Sequence, residues 1–255
     1  MEIFEFSPLP LARLLAGRPE KSALYEDMAS GWIPNSVEEA YTVQDEIIRC
    51  RGTAIRGWKV GSPAIDGPIR CAPLPADCVS GSGAILSQAG FAGAGLELEI
   101  AFRFSRTLTA DILQHSDAEI LSLLSSMAAS IELVSSRFAE WPDVPPLAQL
   151  ADLQNHGALI VGEFVPYASD FCFIAPKATF MFDGDSVSAK PPANPAGDPR
   201  RLLPWLVRHC VARGVPITPD TIITTGTYTG MHFPRRRGKA VGSFVGLPPV
   251  DVVLA

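Results

Sequence analysis

Glu97 and Glu99 stand two residues apart in Leu96-Glu97-Leu98-Glu99-Ile100-Ala101-Phe102-Arg103-Phe104. This alternation predicts a β-strand with Leu96, Leu98, Ile100, Phe102 and Phe104 on one face and Glu97, Glu99 and Arg103 on the other. Carboxylates so spaced lie roughly 7 Å apart, too far to hydrogen-bond each other but near enough to grip one cation. Taken alone, the pair would equally suit the solvated face of an edge strand, with Arg103 as a counter-ion. Glu132 offers a third carboxylate, in Ser130-Ile131-Glu132-Leu133-Val134-Ser135-Ser136-Arg137, where Ile131 and Leu133 take the opposite face. An acid on such a core-like strand is costly unless something neutralises it. Three carboxylates, with waters completing an octahedron, suit Mg²⁺ or Mn²⁺ and leave positions for a substrate's oxygens. No Cys or His stands at metal-ligand spacing, which disfavours zinc.

A cation of the chain's own is offered by Arg56-Gly57-Trp58-Lys59-Val60-Gly61. Lys59 shares its strand face with Gly57 and Gly61, residues that let a backbone or a ligand approach closely; by itself, a lysine between glycines is usually just exposed. His115, His156, His209 and His232 are candidates for acid or base work. An isolated histidine is more often a surface or hydrogen-bonded core residue, and His156, directly after Asn155, is the best placed of the four. Neither GxGxxG, GxxxxGK[ST] nor GxSxG occurs, so no nucleotide cofactor and no serine-hydrolase elbow is indicated.

The elements that must position these groups change period near residue 53. Before it the chain reads as helical: Leu9, Leu11, Leu14 and Leu15 suggest a short amphipathic helix, and Ser36 with Glu39 forms a capping box ahead of Val37, Ala40, Tyr41, Gln44, Ile47 and Ile48. From residue 54 onward short β-type runs dominate, at 54–61, 83–86, 96–104, 130–137, 158–162, 178–182, 221–229, 241–245 and 250–254. Two helices interrupt them. Ser116 and Glu119 cap one, with Ile120, Leu121, Leu124 and Met127 facing inward; Leu202, Leu203, Leu206, Val207 and Cys210 line the other. The expected division is a helical segment over residues 1–53 and a β-rich domain over 54–255.

With 255 residues, 47% of them hydrophobic, the chain can bury a substantial core. Its net charge is −6 and its one basic cluster is Arg235-Arg236-Arg237, which gives a nucleic-acid partner little support. Glu2 and Glu5 precede any apolar run and no stretch approaches 18 apolar residues, so no membrane segment is expected. Five scattered cysteines without a CxxC pair read as thiols of a reducing compartment, hence a cytoplasmic protein.

In order along the chain stand Gly57-Trp58-Lys59-Val60-Gly61, Glu97-Leu98-Glu99, Ile131-Glu132-Leu133, Ser136-Arg137, Ala151-Asp152, Leu159-Ile160-Val161-Gly162, Asn194-Pro195-Ala196-Gly197, Thr225-Gly226-Thr227 and Phe244-Val245-Gly246-Leu247. This series resembles the 2-keto-4-pentenoate hydratase and 4-oxalocrotonate decarboxylase family of the fumarylacetoacetate hydrolase superfamily, from about residue 35 to the end. The resemblance implies an α+β fold, with an N-terminal helical segment packed on a mixed β-sandwich roll. It implies that Glu97, Glu99 and Glu132 hold Mg²⁺ or Mn²⁺, that Lys59 sits beside the substrate and can take part in proton transfer, and that Asp152 is an acid closing the site. Gly61, Thr225, Gly226, Thr227 and His156 are then candidates for substrate binding. The expected activity is that of a metal-dependent lyase on short 2-oxo or 2-hydroxydienoic acids, foremost hydration of a 2-hydroxypenta-2,4-dienoate. Alternatives are decarboxylation of 2-oxo-3-hexenedioate (4-oxalocrotonate), acylpyruvate hydrolysis, oxaloacetate decarboxylation, or a catalytically silent partner of such an enzyme. A homo-oligomer, alone or complexed with a related hydratase or decarboxylase, is expected from the same resemblance. The chain departs from the family at Ser135, where Asp is usual, and at Leu153, where Asn is usual, and also after Gly61, in Ser62-Pro63-Ala64. These departures bear on the substrate rather than on the metal.

Overall fold

Ser36 opens the longest helix as its hydroxyl predicts: Oγ accepts the Glu39 N–H at 3.1 Å. The capping box is only half formed, because the Glu39 carboxylate accepts instead from the Asn35 N–H at 2.6 Å. The computed structural model describes residues 6–17, 25–87, 93–188 and 191–255; Glu2 and Glu5 lie outside them. Among these residues five α-helices are formed: α1 (Pro8–Leu15), α2 (Val37–Arg51), α3 (Asp117–Leu121), α4 (Pro146–Ala151) and α5 (Leu202–Ala212). Thirteen strands accompany them: β1 (Ile55–Gly61), β2 (Arg70–Pro75), β3 (Val79–Gly81), β4 (Ala84–Leu86), β5 (Gly95–Phe104), β6 (Leu124–Val134), β7 (His156–Val161), β8 (Val165–Pro166), β9 (Ala178–Phe182), β10 (Asp185–Ser186), β11 (Ile222–Thr224), β12 (Gly238–Phe244) and β13 (Val250–Leu254).

The strands form two mixed sheets, giving an α+β fold. The larger runs β2-β1-β11-β5-β6-β7-β3, with β8 against β6; the smaller runs β10-β9-β12-β13-β4. Parallel pairs (β1 with β11, β3 with β7, β13 with β4) are set among antiparallel ones. One face of the large sheet carries Trp58, Leu98, Ile100, Phe102 and Ile131 into the main core, shared with α1, α2, α5 and the second sheet. The other face curls on itself, so that β2 touches β7 although four strands separate them in the sheet. Leu74, Ala101, Ala128, Leu159, Val161 and Ile222 fill that concave side with small side chains. Gly57 permits the β1–β11 contact, since a Cβ there would stand 2.1 Å from the Ile222 carbonyl oxygen.

Several elements differ from the sequence expectation. The Ser116-Glu119 box is complete, but its helix ends at Leu121; Leu124 and Met127 belong to β6. Pairing of β6 with β5 from Phe104–Leu124 to Gly95–Val134, with one register shift between Arg103 and Phe104, outweighs helical periodicity there. Strand β6 stops at Val134 and β11 at Thr224, so Ser135–Arg137 and Thr225–Thr229 are loops. Strand β2 was not expected because it carries Pro73 and Pro75; it lies at the sheet edge, where a missing N–H is tolerated. No helix among the described residues is long and apolar enough to cross a membrane.

Candidate active site

Strands β5 and β6 bring the three acids together on the concave face. Glu97 pairs directly with Glu132 across the strands, and Glu99 sits opposite Ser130 one row further on. Each acid offers a carboxylate oxygen within 4.8 Å of those of the other two. Glu99 and Glu132 are buried, while Glu97 is half-exposed toward a cavity of about 350 Å³. The same cavity is lined by Lys59, Gly61 and Gly226. Arg103 does not pair with the acids: it lies farther along the strand, its guanidinium 3.8 Å from the centre of the Phe164 ring.

Hydrogen bonds assign the oxygens different tasks. The Lys59 ammonium donates to Glu132 Oε1 at 2.6 Å and to the Gln154 carbonyl at 3.1 Å. His156 Nδ1 lies 2.9 Å from that same Oε1; a carboxylate can only accept, so the imidazole is the donor. Glu132 Oε2 is buried without a hydrogen-bond partner among the described residues. Glu99 Oε2 accepts the Gly226 N–H at 2.9 Å, from a loop in which Gly226 has φ +87°.

The charges are unequally shared. Burial, then the neighbouring Glu132 charge, pushes the Glu97 carboxyl up to about 7, and burial, then Glu132 and Glu97, raises Glu99 well above its ordinary range. Burial acts on Glu132 in the same sense, but the Lys59 charge and the His156 and Lys59 hydrogen bonds overcome it and hold that carboxyl down to about 2. For Lys59 the desolvation that would lower its pKa is outweighed by Glu132, Glu99 and Glu97, which keep the ammonium charged. Burial lowers His156, leaving a neutral imidazole. Three converging carboxylates, one of them with a buried oxygen that has no partner among the described residues, and two carboxyls reluctant to ionise together fit a hard divalent cation such as Mg²⁺ or Mn²⁺, which would take the place of the protons.

The other expected residues do not touch this cavity. Asp152 is buried behind it, accepting from Ser136 Oγ and the Arg137 N–H at 2.8 Å each and from Arg137 Nη1 at 2.9 Å. Thr225 Oγ1 donates to the Ile100 carbonyl and Thr227 Oγ1 to the Gly230 carbonyl. His156 reaches the site only through Glu132. Conversely, sequence reasoning missed Trp141, Gln149, Gln154, Asn155 and Met231, which line the cavity. Gln154 and Asn155 enter through a left-handed turn in which Leu153, Gln154 and Asn155 have φ of +50°, +50° and +59°. Only Asn155 is of a type that favours this conformation, so the turn leaves almost no signal in the sequence.

No family model matches the chain. It is 26% identical over 221 residues to 2-keto-4-pentenoate hydratase of Burkholderia vietnamiensis, covering 83% of each chain, and 26% identical over 229 residues to 2-keto-4-pentenoate hydratase 1 of Dechloromonas aromatica, covering 86% of each. Among solved structures, 4-oxalocrotonate decarboxylase of Pseudomonas putida, complexed with magnesium and adipate, superposes with a TM-score of 0.80 over 97% of each chain at 18% identity. Fumarylpyruvate hydrolase of Pseudomonas aeruginosa, in complex with Mn²⁺ and pyruvate, shares the fold more distantly, with a TM-score of 0.56 over 80% of this chain and 91% of its own at 14% identity. The chain is thus similar in sequence, across most of its length, to 2-keto-4-pentenoate hydratases, and it shares its fold with 4-oxalocrotonate decarboxylase and, more distantly, with fumarylpyruvate hydrolase.

Proposed function

We propose that the protein is a divalent-metal-dependent lyase that hydrates a short 2-hydroxy-2,4-dienoic acid of the 2-hydroxypenta-2,4-dienoate type. The observation that carries this reading is the convergence of Glu97, Glu99 and Glu132 within 4.8 Å beside Lys59 in one cavity. Glu97, Glu99 and Glu132 would hold the cation, which, when bound, supplies a Lewis acid for the carboxylate and 2-oxo oxygens of the substrate.

The chain's own groups account for the remaining needs of the reaction. The Lys59 ammonium, fixed between Glu132 and the Gln154 carbonyl, stabilises negative charge developing on a substrate oxygen and has a proton to give. Because its charge is maintained, it is poorly suited to act as a base. Gln154 and Asn155 line the cavity, and their side-chain oxygens are buried without partners among the described residues. Asp152 supports the reaction through Arg137 and Ser136 rather than by contact.

The named relatives favour hydration over decarboxylation, since the sequence matches are 2-keto-4-pentenoate hydratases. Decarboxylation of 2-oxo-3-hexenedioate is the second reading, prompted by the high TM-score to the decarboxylase fold. An ultraviolet assay with Mg²⁺ or Mn²⁺ tests both: loss of dienoate absorbance without CO₂ means hydration, and CO₂ release means decarboxylation. No reaction with either would leave the silent-partner reading. Cytoplasmic location and assembly as a homo-oligomer, alone or with a related enzyme, complete the proposal. The first is supported by five free cysteines, the second by family resemblance, and light scattering tests the assembly.

A further inference from the structure

Arg70 shares a face of the large sheet with Lys59. Strand β2 runs antiparallel to β1 with Arg70 opposite Gly61 and Ala72 opposite Lys59. Directly opposed residues share a face, so Arg70 stands on the side of Lys59, one row or roughly 7 Å along the strands. Between them Gly61 presents no side chain, and a Cβ there would meet nothing within 4 Å. A second cavity, of about 490 Å³, is lined by Arg70, Pro63, Pro68 and Leu147, and it meets the carboxylate cavity along Gln149, Gln154 and Asn155, which line both.

The guanidinium holds no acid among the described residues. Arg51, Arg137, Arg200, Arg208 and Arg213 each hold an aspartate, whereas Arg70 has no carboxylate within 4.0 Å among the described residues. Its hydrogen bond from Nη1 goes to the carbonyl of its own neighbour, Ile69, at 2.9 Å. A planar fork with free donors, half-buried among prolines and leucines at the end of a passage, is built for an anion rather than for an uncharged carbon terminus.

We propose that Arg70 is a specificity-determining residue that binds a second carboxylate at the end of the substrate remote from its 2-oxo acid, so that the substrate is dicarboxylic. This rests on the reading of the carboxylate site given above. It keeps that site and its cation but replaces the monocarboxylic 2-hydroxypenta-2,4-dienoate with a dicarboxylic relative, whichever reaction follows.

The test is calorimetric binding of 2-oxoadipate and 2-oxohexanoate, which differ only in the distal carboxylate, to the Mn²⁺-loaded protein. In the wild type 2-oxoadipate binds roughly 10- to 100-fold more tightly, the usual effect of one charge-assisted contact. Arg70→Met brings the ratio of affinities close to one, and Arg70→Lys retains part of it, since a point charge replaces the fork. Equal affinities in the wild type, or a preference that survives in Arg70→Met, overturn the role of Arg70 and leave the carboxylate site standing. Failure of both oxo acids to bind overturns the site reading and this inference together.

Discussion

His156 Nδ1 and Glu132 Oε1 lie 2.9 Å apart, both side chains fully buried, and this contact leaves Glu132 Oε2 as the carboxylate's one unpartnered oxygen. The imidazole thus fixes the orientation of a proposed ligand without touching the cavity. Outer partners of metal ligands typically contribute 10- to 100-fold to affinity. His156→Ala is expected to raise the Mn²⁺ concentration giving half-maximal thermal stabilisation by about that factor, while His156→Asn, which can still donate, recovers part of the loss. Equal Mn²⁺ response in wild type and both variants would remove His156 from the metal's support.

Burial, and then repulsion from Glu132, disfavours the charged forms of Glu97 and Glu99 in the metal-free protein. Gln is neutral at every pH and nearly the same shape, so it removes the cost of burying a group that ionises freely only in the unfolded chain, and Glu97→Gln or Glu99→Gln is expected to raise the Tm without metal by a few degrees. The same change is expected to abolish the Mn²⁺-dependent gain in Tm. Glu97→Ala and Glu132→Ala share the second outcome. A Tm that still rises with Mn²⁺ in these variants would show that the cation binds elsewhere.

The pH dependence follows from the same two acids. Their folded pKa values stand above the ordinary 4.5, at about 7 for Glu97 and well raised for Glu99, so the native chain holds protons that the unfolded chain has released. Raised carboxyls contribute stability that is present below 4.5 and lost as pH rises through the folded values. His156, His209 and His232 are lowered and act in the opposite sense until about pH 7.5, a unit above their ordinary 6.5, where the unfolded imidazoles have also lost most of their protons. Glu132, lowered to about 2, is ionised in both. Between pH 7.5 and 8.5, therefore, the Tm of the metal-free protein is expected to fall, and the increment supplied by Mn²⁺ to grow as protons cease to compete. A calorimetric series flat across that interval would contradict the raised carboxyls.

The acids and Lys59 were legible because strand alternation is a local signal: knowing that Leu96, Leu98 and Ile100 face the core is enough to put Glu97 and Glu99 together. Glu132 needed a pairing register, which its own flanking apolar residues fixed. The edge strand bearing Arg70 was hidden by Pro73 and Pro75, and the turn at Leu153–Asn155 by the absence of glycine. Leu124 and Met127 fit a helical stripe after Ile120, and only long-range pairing with β5 makes them strand residues. Local chemistry was therefore readable, and what surrounds it depended on contacts between distant segments.

Asp152 and Arg137 form a buried ion pair in which Asp152 accepts three hydrogen bonds. The aspartate is wholly enclosed and bound to the two residues that follow Ser135 where the chain leaves β6. Asp152→Asn would leave a buried guanidinium without its counter-charge, a change that typically destabilises by about 3–5 kcal/mol. Chemical denaturation is expected to show a loss of this size with and without Mn²⁺. A stable Asp152→Asn protein with lost turnover would instead indicate direct participation in the reaction.

Gln154 holds Lys59 with its main-chain carbonyl while its own φ is +50°. Left-handed backbone costs a non-glycine residue roughly 1–2 kcal/mol, and the Gln154 side-chain oxygen is additionally buried without a partner among the described residues. Glycine at this position relieves both penalties but gains freedom in the unfolded chain, which offsets part of the benefit. Gln154→Gly is therefore expected to hold or raise the Tm by a few degrees, while the loosened turn lets the Lys59 ammonium wander and lowers kcat about tenfold. Parallel loss of stability and activity would show that the side chain, rather than the strained carbonyl, is what the site requires.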